Sequence, residues 1–357
     1  MVGVVVAYSM NVKDFMDSTH FGGGNENLDN PQPPTFADLG IPTEQQTRLT
    51  IIGTARTCSS LTKWEWLYMI GSVVSLLTSM ILTIYTMTKL DKTSFDFTFA
   101  IVLIYTTFFC FYYVVHGVLK ERPFELMVFV TTIFIILAYS IMNYFANSKN
   151  NDIKVVRLVL VCILGPILIM AGIWLSREYY LSGNLIYRTV GANINLQSMC
   201  KLMFLCSTLL KFDLQLQGSM ILLVMENGTN TDSTEAVILG IGFTITITFV
   251  TIGFLSMRFE NKILVILFVI LSISEPAYII YLFYKARNLE EILYRATYLC
   301  GSLAIIVWIG KVACMYFVMR NFGKGLKEKV YGDEKTKVLD PEVSLPPPQE
   351  EAEKPGD

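Results

Sequence analysis

Lys211, Asp213, Gln215 and Gln217 interrupt an apolar run from Leu209 to Gly218, and Glu275 and Lys311 each stand alone in apolar runs further on. An isolated charge at hydrocarbon depth costs roughly 2.5–3.5 kcal/mol on insertion scales, so such groups face protein or water and pair with one another. They hold a proton, ion or small molecule, or they form a neutral network that orders the helices around it. The four charges cancel; the first pairing to expect is Lys211 with Glu275 and Asp213 with Lys311, and the opposite pairing is the alternative. Pro276 follows Glu275 directly; it has no N–H to give to the Ser272 carbonyl and kinks its helix, which makes room beside the carboxylate.

The elements that position these residues are transmembrane helices. Hydrophobic residues make up 53% of the 357 positions and charged residues 16%, with a mean hydropathy of +0.50, outside the balance of a soluble domain. The apolar residues fall in blocks of about 20, long enough as helices to cross a hydrocarbon layer of about 30 Å. The expected fold is an all-α polytopic bundle over residues 63–320, with eight spans at 66–88, 97–119, 124–146, 155–175, 199–225, 236–257, 263–284 and 294–319. At 100° per residue, Ser207, Lys211, Gln215 and Ser219 share one stripe of the fifth span while Asp213 and Gln217 point almost opposite. That span therefore needs polar neighbours on two sides and belongs near the centre of the bundle.

Residues 1–62, with Gly22-Gly23-Gly24 and Asn- and Pro-rich stretches, cannot bury enough apolar area to offset chain entropy and read as a disordered arm. Residues 321–357 turn basic, then acidic and proline-rich, and read as a disordered tail. Between the fourth and fifth spans, residues 177–197 include Tyr179, Tyr180, Tyr187 and Gly191, which suits an interfacial helix. No period of 20–50 residues repeats, and the two halves show no inverted symmetry.

With the N-terminus inside, Arg48, Arg56, Lys63, Lys120, Arg122, Arg177, Arg188, Arg258, Lys262, Arg320, Lys324, Lys327 and Lys329 are cytosolic, thirteen in all. Six lie outside: Lys89, Lys92, Lys149, Lys154, Lys285 and Arg287. This bias puts both termini in the cytosol of a plasma or internal membrane. The fifth-to-sixth loop, which has no Lys or Arg, carries the sequon Asn227-Gly228-Thr229 on the opposite side, a candidate glycosylation site.

Several functions are set aside. A net charge of −2 without a basic, aromatic-interleaved tract gives nucleic acid nothing to bind. His20 and His116 are the two histidines, too few for haem or a zinc centre, so no metal or cofactor is expected. No GxSxG, HExxH or P-loop pattern is present, and no enzymatic activity is expected. None of the seven cysteines is placed to staple a loop. What remains is a membrane protein whose partner is the bilayer. It is a transporter or channel using the polar cluster on an ion or small molecule, or a receptor or scaffold in which the cluster is structural.

Overall fold

The computed structural model describes residues 47–50, 53–56, 61–90, 95–146, 152–223, 233–287 and 291–331. Most of the expected arm, most of the tail and the sequon Asn227 lie outside these residues. Within the arm, strands β1 (Thr47–Thr50) and β2 (Gly53–Arg56) pair antiparallel, Thr47 opposite Arg56. This differs from the expectation of an arm without regular structure; threonines favour the pleated backbone and the two strands are close enough in sequence for a short hairpin.

The rest is helical: α1 (Lys63–Met87), α2 (Phe95–Leu119), α3 (Pro123–Ala146), α4 (Asp152–Ser182), α5 (Asn184–Val190), α6 (Ile194–Leu223), α7 (Ser233–Phe259), α8 (Lys262–Ser272), α9 (Ser274–Ala286), α10 (Glu291–Arg320) and α11 (Leu326–Tyr331). Starts are chemically marked. Thr62 and Glu65 form a reciprocal capping box on α1, and the buried Glu65 also accepts a 2.7 Å bond from the Tyr179 hydroxyl of α4. Asn193 and Asn261 cap α6 and α8 through their side-chain oxygens. The interval 177–197 is not one interfacial helix: α4 runs on to Ser182, and Gly183 and Gly191, both at positive φ, bound the short α5.

Among the described residues, six helices are long and apolar enough to cross a membrane: Lys63–Met87, and those within Phe97–Leu119, Leu158–Tyr187, Gly240–Phe259, Lys262–Ala286 and Tyr294–Arg320. Two further helices coincide with expected spans. In α3 the described apolar stretch is Pro123–Ala138, and α6 carries Lys201, Lys211, Asp213 and three glutamines, too many polar groups to qualify by composition. Yet most of α6 from Cys200 onward is buried. A helix enclosed by other helices need not be apolar, because protein rather than lipid surrounds it.

Packing explains that enclosure. Helices α1, α2, α3 and α4 close a ring in that order, and α6, α7, the α8–α9 pair and α10 close a second. Helix α6 belongs to the second ring and also packs on α2 and α3 of the first; α10 reaches α3. The two rings repeat each other directly, a relation that short periods and inverted symmetry do not test. Ser79-Met80-Ile81-Leu82 recurs as Ser219-Met220-Ile221-Leu222, Phe129-Val130 as Phe268-Val269, and Ala138-Tyr139 as Ala277-Tyr278, each pair 139 or 140 positions apart. Glu121 and Glu260, the two non-glycine residues at positive φ among the described residues, occupy the same turn of each ring. Each receives backbone N–H groups from the segment after its ring's last helix: Leu185 at 3.0 Å on Glu121, and Gly323 at 2.8 Å and Lys327 at 3.1 Å on Glu260. The repeated unit is thus four long helices and a short terminal one, clasped by a glutamate.

Candidate functional site

Lys311, fully buried on α10, donates to Asp213 Oδ2 on α6 and to Glu275 Oε2 on α9. Asp213 is buried as deeply as the lysine, and Glu275 nearly so. The expected pairing of Asp213 with Lys311 is present, but Lys311 serves Glu275 as well. The ammonium also lies 4.6 Å from the Phe249 ring and 6.0 Å from that of Phe268, so two carboxyl groups and two aromatic faces enclose it. Among the described residues, the second oxygens, Asp213 Oδ1 and Glu275 Oε1, have no hydrogen-bond partner, and neither do Gln215 Oε1, Gln217 Nε2 and Tyr278 Oη.

Glu275 is positioned by the break in its helix. The chain turns at Ile273 between α8 and α9, and Pro276 leaves the Ser272 carbonyl without its helical donor. The Trp308 indole N–H, one turn before Lys311, fills that vacancy at 2.8 Å. The residue that loses the backbone bond and the residue that restores it thus flank the two charges they bring together. Close approach also shapes the α2 side of α6. The Tyr105 hydroxyl donates to the Leu214 carbonyl at 3.1 Å and its ring lies so near Gly218 that a Cβ there would overlap it.

Lys211 does not reach Glu275. It points to the other side of α6, where its ammonium donates to Glu125 Oε1 of α3 at 2.7 Å. Glu125 Oε2 lies 2.5 Å from His116 Nδ1 of α2. Tyr112 stacks on His116 with centroids 4.9 Å apart and receives Lys211 over its ring at 5.0 Å. In the turn between α2 and α3, Arg122 lies 3.3 Å from the centre of the Phe204 ring. Burial, with Arg122 and Lys211 nearby, brings the Lys120 ammonium of this turn down to about 8. Reading from sequence missed Glu125 and passed over His116. The available signal was an acid two residues into one apolar block and a histidine near the end of the block before it, which a tight helical hairpin brings face to face.

The sequence pattern of one family, a domain of unknown function designated DUF7789, matches residues 52–177 and 190–320. The chain belongs to the DUF7789 family. The two matched segments fall on the two helical rings, and every member of both clusters lies within them: His116 and Glu125 in the first, Lys211, Asp213, Glu275 and Lys311 in the second. No curated protein and no solved structure matches the chain. The DUF7789 description assigns no activity, so function is argued from the clusters. Among the described residues no group of His, Cys, Asp and Glu could hold a metal ion.

Proposed function

We propose that this chain is a transporter-like protein with eight crossings and cytosolic termini, moving a proton or small cation through the Asp213–Glu275–Lys311 cluster. The observation that carries the reading is the cluster's charge. One ammonium faces two buried carboxylates, and with both ionised a single negative charge is left in a low-dielectric interior, where it is costly unless a proton or cation joins it. Two unpartnered carboxylate oxygens offer that visitor a place. Repeated halves and a discontinuous helix beside a mid-membrane polar site are features on which secondary transporters are commonly built. The eight crossings follow from admitting α3 and the enclosed α6, and the sidedness from the basic residues.

The test is proton flux in proteoliposomes carrying an internal pH-sensitive dye. Wild-type protein is expected to collapse an imposed pH gradient faster than protein-free vesicles. Asp213→Asn and Glu275→Gln are expected to abolish the difference while retaining the folded elution profile. Flux in both variants equal to wild type removes the cluster from any transport path. The second reading, a receptor or scaffold with a structural cluster, is favoured by the complete enclosure of Lys311. It predicts that both variants lose thermal stability before any activity is lost.

A further inference from the structure

We propose that His116, Glu125 and Lys211 form a second proton-binding site, at the end of the bundle where α2 turns into α3, and that it shares one proton with the Asp213–Glu275–Lys311 cluster across α6. This goes beyond the transport reading and does not depend on net flux.

The geometry supplies the site. In its Nδ1–H tautomer a neutral His116 donates a hydrogen bond to Glu125 Oε2 at 2.5 Å, and its buried Nε2 has no hydrogen-bond partner among the described residues. Glu125 is 1% exposed, whereas His116 and Lys211 keep 13% and 16% side-chain exposure, so the site lies at the surface of the bundle, with Nε2 the buried atom a proton must reach. Uptake from hydronium forms an N–H bond at Nε2 as one O–H bond of the donor breaks, leaving water; the new charge is met by the Glu125 carboxylate, which then sits between two cations.

Charged and titratable groups face His116 from several elements. On its own helix and the turn after it stand Tyr112, Lys120, Glu121 and Arg122. Helix α3 contributes Glu125. From α6 come Lys211 and, further along, Lys201, which lies 4.8 Å over the Tyr180 ring. On α1, Glu65 is engaged by Thr62 and Tyr179, and Lys63 is exposed. Glu121 holds the Leu185 amide. Lys211 and Asp213 are two residues apart, about 3 Å along the axis of α6. The groups bonded to them have complementary charge states. With a neutral imidazole the first cluster sums to zero and the second to −1; with an imidazolium they are +1 and −1. A proton leaving Nε2 and arriving on a carboxylate oxygen of the second cluster returns both to zero. One proton therefore balances the two clusters from either station; on opposite faces of one helix they stand about a helix diameter, ~10 Å, apart, close enough in a low-dielectric interior for each to feel the other's charge.

The experiment uses full-length protein in nanodiscs with imidazole-15N histidine, read by NMR from pH 5 to 8.5. His20→Gln removes the other histidine, leaving one signal. The expected wild-type result is a bare Nε2 and protonated Nδ1 at high pH, changing to a doubly protonated ring within the window. In Glu125→Gln the ring should stay neutral throughout. In Glu275→Gln, which fixes the other cluster in its neutral form, it should take up its proton only in more acidic buffer. A wild-type imidazole that does not change protonation overturns the site. A titration that is the same in wild type and Glu275→Gln overturns the shared proton. Should Glu275→Gln fail to fold, Asp213→Asn gives the same comparison.

Discussion

The two charge clusters either side of α6 are inverses. One places a base between two acids, Lys311 with Asp213 and Glu275, and lies entirely within the second helical ring. The other places an acid between two bases, Glu125 with His116 and Lys211, and joins the first ring to the second. The first is sealed; the second keeps some solvent access through both its bases. A sealed group cannot exchange a lost partner for water, whereas a partly exposed one can. The repeat sharpens the contrast. At the spacing of 139 or 140 residues, Asp213, Glu275 and Lys311 correspond to Val73, Ile136 and Gly172, so the positions that carry buried charge in one ring are uncharged in the other, where Val73 and Ile136 are half-buried.

The largest effect should come from breaking the sealed cluster. Lys311→Met strands two buried carboxylates and should cost about 3–5 kcal/mol, seen as early thermal unfolding in detergent. Adding Asp213→Asn and Glu275→Gln to it should recover much of the loss, and no recovery would mean that packing of the lysine stem, not charge, is what matters. Glu125→Gln at the open cluster should cost less, about 1–3 kcal/mol, because Lys211 can turn towards solvent. Equal losses at Lys311 and Glu125 would erase the distinction between sealed and open.

A smaller effect is expected from the support of Glu275. Trp308→Phe orphans the Ser272 carbonyl and should cost about 1–2 kcal/mol. In a Pro276→Ala background, where a backbone N–H is restored, the same change should cost little; additive losses in a double-mutant cycle would disprove the substitution of one donor for the other. Smallest are the glutamate clasps. Glu121→Ala, buried, should exceed Glu260→Ala, which holds exposed amides, with the latter near 1 kcal/mol and visible as faster hydrogen exchange at Gly323 and Lys327.

Much of the helical layout was legible because it rests on local quantities: block length, mean hydropathy and capping chemistry are properties of short segments. Asp213, Glu275 and Lys311 were visible for the same reason, as charges inside apolar runs. The partner of Lys211 was not. Glu125 sits beside a turn, where an acid is ordinary, and its burial follows only from α6 packing into the groove between α2 and α3. The direct repeat was missed because few residues recur and the spacing exceeds any short period; matching helix ends and the two αL glutamates make it plain.

The sequence by itself determined that the chain forms long apolar helices and that α6 is too polar to face lipid, since both follow from the transfer cost of side chains along one segment. Only the tertiary structure decided which side of α6 each charge serves. Lys211 and Asp213 are two residues apart, and the nearly opposite directions that this gives them acquire chemical meaning only once α3 stands on one side and α9 and α10 on the other.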